Sequence, residues 1–469
     1  MTDQLREAFR DLAEHADEQP TSFAPGAAPA ALWRSGRRAR RVRIASSVLV
    51  AAAVAVLGGA VVPLVGEQVR TTQGPASYDR SDLAVPDTVW SPSSWAPTAG
   101  RDDPPGPLAM VGAAPRRGEW VLPTEEHLFG VSAVDQSYRW LELPRQARSQ
   151  EAQAVSLSPD GTRLAYFLGG RPTKPNPQSD MVGFAVLDLV TGDVTERAIE
   201  TEYGLRAGHL AWSGDSEWLV GAVSQYHRMR GGSMSADFEA MNPGTGAVIP
   251  IEGLEEWEDL AAAPSGVATW DEGQLLRVDP ATGRVTRHRV EWWWRDDSTS
   301  GAPAFNADGS RIAWSDGVRR GRGTYPAVYA ATYSDAGEVG RPVLLEGSFT
   351  PWRVLGWLDE TTVLVDADWN RARSATDAPR RIVAVDVATG EVGPGIGRPA
   401  ADDELHDTQF ATDLLQRPLV SGVRPGRHLP LGPSVVIASL VLVLAGAGAG
   451  RLRVRREERA LAESGARRP

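Results

Sequence analysis

The sequence predicts an all-β fold, a β-propeller of about six four-stranded blades (seven if residues 80–100 add strands), flanked by two transmembrane α-helices. Two hairpin-turn patterns that recur through the middle of the chain point to the propeller. Two long, almost uncharged apolar stretches near the ends point to the helices.

The apolar stretches run from Ile44 to Val65 and from Leu431 to Ala449. Each has about the 20 residues that a helix needs to cross ~30 Å of hydrocarbon, where only a helix satisfies its own backbone. Basic residues beside a span tend to stay in the cytoplasm. Arg34, Arg37, Arg38, Arg40, Arg41 and Arg43 precede the first span, and Arg451, Arg453, Arg455, Arg456 and Arg459 follow the second. Both termini are therefore expected inside and residues 66–430 outside. The competing reading of the first stretch is a cleaved signal peptide, but its leader is long and no clean small-x-small site follows it. Leu429-Pro430-Leu431-Gly432 resembles a sortase sorting signal, although Gly432 and Pro433 stand where that motif has Thr-Gly.

The net charge of -11 is unevenly spread: the two cytoplasmic ends hold 15 Arg against 9 acids, and the outer segment 34 basic against 51 acidic side chains. An acidic outer domain suits a soluble surface module and speaks against nucleic acid as a partner. With no cysteine, disulfides and Cys-based zinc sites are excluded. Arg outnumbers Lys by 48 to 1, similar to the codon bias of GC-rich bacteria such as actinobacteria.

The first repeated pattern is Leu157-Ser-Pro-Asp-Gly-Thr-Arg-Leu-Ala-Tyr-Phe167, which recurs as Phe305-Asn-Ala-Asp-Gly-Ser-Arg-Ile-Ala-Trp-Ser315. Looser copies start at Ala211 and Gly356. The second is an alternating strand closed by Thr-Gly: Val186 to Val194, Ala240 to Val248, Arg277 to Val285 and Ala384 to Val392. Each pattern is a hairpin: the first turns on Gly, Asp or Glu, and in the second Gly supplies the positive φ. Two hairpins per period of roughly 45–55 residues make one four-stranded blade.

These Ser-Pro-Asp-Gly and Asp-x-x-Thr-Gly turns resemble those of TolB-like and WD40-like propellers, which implies that fold for residues 105–395. Blades are expected at 105–145, 150–200, 205–252, 255–292, 300–348 and 350–395. The first, built from Leu108–Val111, Trp120–Leu122, His127–Val134 and Arg139–Leu143, lacks both turns. Trp90, Trp95, Trp120, Trp140, Trp212, Trp270, Trp314, Trp352 and Trp357 sit in or beside strands and are expected to fill mostly inter-blade core.

Pro- and Ser-rich residues 66–104, running on into Asp102-Asp-Pro-Pro-Gly-Pro107, and residues 396–430 read as linkers between spans and propeller. Residues 450–469 form a basic cytoplasmic tail. In the cytoplasmic segment 1–43, Leu5, Phe9 and Leu12 stand at helical spacing and predict a short amphipathic helix. It would rest on the inner leaflet or bind a partner. This leader, running into an Arg cluster and a span, resembles the N-termini of actinobacterial membrane proteins associated with sigma factors. The resemblance implies a sigma factor as the partner, but the zinc signature of that family is missing.

No Gly-x-Ser-x-Gly elbow and no His-Glu-x-x-His motif occurs, so the chain is predicted not to be an enzyme and to need no cofactor or metal. His127, His209 and His288 lie in or near strands and would be metal ligands only if they met at the propeller axis. Asp366-Ala-Asp-Trp-Asn370 with Asp377 mimics a calcium loop, but Arg371 stands where Gly is needed. Trp292 and Trp294, with Tyr226 and His227 on another loop, are the candidate contacts for a sugar or peptide. The expected function is a membrane-anchored, non-enzymatic propeller that binds or senses a protein or cell-envelope ligand at the cell surface. The alternatives are a transmembrane regulator with an anti-sigma-like N-terminus and an enzyme with a site at the propeller axis.

Overall fold

The computed structural model describes most of residues 78–425 and, beyond them, Arg455 and Arg456. Residues Thr72–His428 form one compact unit, which holds all of the described residues except Arg455 and Arg456. Both expected spans, and Leu5, Phe9 and Leu12, lie outside the described residues. Among the described residues no helix is long and apolar enough to cross a membrane.

The strands fall into six sheets. The first holds β1 (Thr98–Gly100), β2 (Leu108–Arg117), β3 (Thr124–Ser132) and β4 (Tyr138–Glu142). The second holds β5 (Val155–Leu157), β6 (Arg163–Gly169), β7 (Met181–Asp188) and β8 (Val194–Ala198). The third holds β9 (Leu205–Trp212), β10 (Leu219–Tyr226), β11 (Ser233–Asn242) and β12 (Ala247–Ile251). The fourth holds β13 (Ala261–Ala263), β14 (Gly266–Asp271), β15 (Gln274–Asp279) and β16 (Arg284–Arg289). The fifth holds β17 (Ala304–Phe305), β18 (Arg311–Arg320), β19 (Gly323–Thr332) and β20 (Val343–Leu345). The sixth holds β21 (Thr350–Trp357), β22 (Thr362–Asp368), β23 (Arg380–Asp386) and β24 (Val392–Pro394).

The last strand, β25 (His406–Phe410), does not start a new sheet. It pairs antiparallel with β2, giving the first sheet the order β1-β4-β3-β2-β25. The first strands β5, β9, β13, β17 and β21 touch one another in succession, and β25 touches both β21 and β5. The ring is closed: this is a six-bladed β-propeller whose first blade takes its innermost strand from the C-terminal side of the chain.

This closure corrects the linker expected at 396–430, which contains β25 and a helical turn, α1 (Thr412–Leu415). The N-terminal linker is corrected as well. Leu83, Val85 and Val89 are buried, and β1 adds a parallel edge to β4. Residues 80–100 therefore widen the first blade rather than build a seventh. They also run beside the C-terminal segment: Pro86 bridges Val420, and Gly422 N–H donates to Asp87 Oδ1 at 3.0 Å.

The turns explain why the blades form where they do. In the first hairpin, the Ser158, Ser213 or Asn306 side chain accepts the N–H five residues on, from Arg163, Trp218 and Arg311. In the second, Asp188, Asp279 and Asp386 accept N–H groups two residues on, and Gly192, Gly283 and Gly390 close the turn at φ of 71–81°. The first blade has this second turn in altered residues. Ser132 Oγ accepts from Val134 and Asp135, and Gln136, at φ 61°, donates its N–H to Ser132 O. It lacks the first turn because β25 and β2 are not consecutive in sequence. The strand expected at Trp120–Leu122 lies outside the described residues.

Blades pack through large apolar side chains. Trp140, Trp212, Trp314 and Trp357 are fully buried. The indole N–H of Trp212 donates to Ser156 O of the preceding blade, and that of Trp357 to Ala304 O, each at 2.9 Å. Trp270 is buried too, whereas Trp352 is 52% exposed, so the expectation of a core tryptophan fails there. It sits on an innermost strand beside a bulge between Pro351 and Arg353. Trp95 and Trp120 lie outside the described residues.

Candidate functional site

Each blade runs out and back twice, so all six innermost strands begin at the same end of the ring. At the opposite end α1 follows directly from β25 with Leu414 and Leu415 buried. A side chain at Gly356 would strike Leu415, and Asp413 N–H bonds Pro159 O at 3.0 Å. That end is packed around the closing strand. The strand-starting end is where a cavity of about 710 Å³ opens, at the seam between blades 1 and 2 and reaching the innermost strands.

Arg353 and Asp407 enter the cavity from the innermost strands of blades 6 and 1. Arg353 is anchored from behind: its Nη2 donates to Thr408 O at 2.6 Å, and its Nε lies 3.9 Å from Asp366 Oδ2. Asp366 is 3% exposed, and its other oxygen, Oδ1, has no hydrogen-bond partner. The guanidinium is the charge partner of this buried carboxylate, and the carboxylate holds the guanidinium in place in turn. Asp407 has φ 48°, the left-handed region that Asp tolerates better than most residues. Blade 1 adds Glu126, Leu128 and Leu141, and the connection to blade 2 adds Arg148 and Val155. Gln409 also lines the cavity but is committed to closure: its amide donates to Val155 O at 2.6 Å and accepts from Leu157 N at 3.1 Å.

The charges in this cavity do not cancel one another. Arg353 pairs with Asp366, whereas Asp407, Glu126 and the Arg148 guanidinium form no ion pair among the described residues. Free charges of both signs beside aliphatic walls are chemistry for a ligand that has both.

The residues singled out from the sequence lie mostly elsewhere. Trp292, Trp294 and His227 are outside the described residues; Tyr226, half-buried, ends β10 and donates its N–H to Gly204 O at 3.1 Å. The three histidines do not converge. His127 is on the third strand of blade 1, edge-on to Trp140 with centroids 6.2 Å apart, and also borders the cavity. His209, on an innermost strand, lies 3.4 Å from Asp259. His288 is on the outermost strand of blade 4, packed on Gly337, where burial, with Arg277 nearby, lowers its pKa. Among the described residues no group of His, Cys, Asp or Glu is placed to hold a metal ion. Of the calcium-loop mimic, Asp366 and Asp368 belong to β22, and 369–379 lie outside the described residues.

No protein-family model matches the chain, and no curated protein sequence does. Solved structures similar to it include an oligogalacturonate lyase in complex with manganese, 14% identical, with 65% of this chain and 77% of that one covered at a TM-score of 0.41. Another is the oligogalacturonate lyase from Vibrio parahaemolyticus, 10% identical, covering 67% and 79% at 0.40. A third is dipeptidyl peptidase 4 of Porphyromonas gingivalis, 12% identical, covering 59% and 43% at 0.33. At such scores they carry no argument about the site or substrate of this chain. They do correct the expectation that it is not an enzyme: propellers similar to this one occur in lyases and peptidases, so missing hydrolase motifs are no ground for excluding catalysis.

The cavity residues were not visible as a site in the sequence. Arg353 and Asp366 stand in two strands of one blade, and Asp407 and Glu126 come together only when β25 closes against β2. The usable signal was that the first unit lacks both repeated turns, which sets it apart from the blades closed by consecutive strands.

Proposed function

We propose that this chain is a membrane-anchored protein that holds its propeller outside the cytoplasm and binds a protein or cell-envelope ligand in the cavity at the strand-starting end. The observation that carries the binding reading is the set of unpaired charges around that cavity. The anchoring reading rests on the two apolar stretches with their basic flanks. It agrees with one feature of the ring. The segments around Pro86 and Val420, through which the chain enters and leaves, lie side by side, as two tethers to one surface require.

The test is alkaline extraction of membranes from cells producing the full chain. The protein is expected to stay with the membrane pellet, because spanning helices are not released by high pH. Release into the supernatant would overturn the anchoring reading.

A further inference from the structure

We infer that the ligand of the cavity is a short peptide with free ends: its carboxylate bound by Arg353, its ammonium by Asp407 and Glu126, and its aliphatic side chains against Leu128, Leu141 and Val155. This inference rests on the reading of the cavity as a binding site and names its ligand class.

Four features lead to it. The cavity, at about 710 Å³, lies within the ~300–1,000 Å³ of small-ligand sites. Its guanidinium is aimed and supported, with Thr408 O and the buried Asp366 fixing one side of Arg353. A fixed planar fork of donors matches a carboxylate in two-point contact. Its two acids, Asp407 and Glu126, lack ion-pair partners among the described residues, and Asp407 keeps its place at a positive φ. A backbone held in a sparsely populated region beside a cavity is a mark of a site under functional constraint. Finally, the wall between the charges is aliphatic: apart from the His127 ring, no described lining residue is aromatic. Sugar rings stack on aromatic faces, so this lining suits aliphatic side chains better than saccharide.

An uncharged or singly charged ligand would meet at most one of the two signs of charge around the cavity. A zwitterionic peptide satisfies both. Arg148, exposed at the rim, adds a cation that steers the carboxylate end inward.

The test is calorimetric titration of the detergent-solubilised full chain with trileucine, N-acetyl-trileucine and trileucine amide. Saturable binding of trileucine is expected, weakened roughly tenfold or more by either cap, since each removes one charge-assisted contact. Arg353→Lys keeps the cation but loses the fork, and is expected to weaken trileucine binding while keeping a reduced preference for the free acid over the amide. Asp407→Asn tolerates the same φ and is expected to lose the preference for a free over an acetylated N-terminus. Thermal melts of both variants close to the parent's show that they fold.

Ala154→Trp, which fills the rim of the cavity, separates the two readings. Binding that survives it lies elsewhere and overturns the cavity as the site. Binding that it abolishes, but that ignores both caps, overturns the peptide inference and leaves the cavity standing. If trileucine shows no saturable binding, the peptide inference is overturned.

Discussion

A chain lacking residues 405–425 is expected not to fold. The deletion removes β25 and α1, and with them Leu405, Phe410, Leu414 and Leu415, each 4% exposed or less. Losing a buried side chain of this size costs about 2–5 kcal/mol, so the four together approach or exceed the ~5–15 kcal/mol by which a domain is stable. The loss is larger than this sum suggests, because the edge of β2 opens and the seam to blade 2 loses its Gln409 stitch. The measurement is a thermal melt followed by circular dichroism beside the full chain, with trypsin digestion as a second probe. No cooperative transition and rapid digestion are expected. A cooperative melt within a few degrees of the full chain's would mean that the ring does not depend on this strand.

The second large effect is expected at the inter-blade tryptophans. Trp212→Ala and Trp357→Ala should each cost about 3–5 kcal/mol, the range for removing a large buried aromatic side chain. Each also leaves a carbonyl of the preceding blade, Ser156 O or Ala304 O, without its indole donor. The phenylalanine variants keep most of the apolar volume and should lose less, about 1–3 kcal/mol for the unmade hydrogen bond and the smaller ring. Urea denaturation reads both. If alanine and phenylalanine variants are equally stable, these side chains do not lock the blades. The same substitution at the exposed Trp352 should change stability by less than ~1 kcal/mol.

The blades were legible because their turns are chemical. A side chain that accepts a particular backbone N–H, as Ser158, Asn306 and Asp386 do, leaves a fixed spacing in the sequence. In the first blade the same hydrogen bonds run through Ser132 and Gln136, residues that carry no turn signal by themselves. The closing strand was illegible for a different reason. His406–Phe410 has five residues and pairs with a strand some 300 positions earlier, so no local turn announces it.

The site escaped the sequence for the same physical cause. Aromatic clustering drew attention to Trp292 and Trp294, whereas the cavity is built from charges that are distant in sequence and unremarkable singly. Arg353 reads as an ordinary strand residue until Thr408 O and Asp366 are seen behind it. Asp407 gains interest only from its backbone, which no composition reveals.

The central claim is that the propeller presents its cavity outside the cell while the chain's ends remain within. The absence of native cysteine makes one measurement direct. A single cysteine at Ala154, on the cavity rim, and in a second variant at Ser22, is treated in intact cells with a membrane-impermeant maleimide. The account expects Ala154→Cys to label at once and Ser22→Cys only after lysis. Labelling of Ser22→Cys in intact cells with Ala154→Cys protected would contradict it.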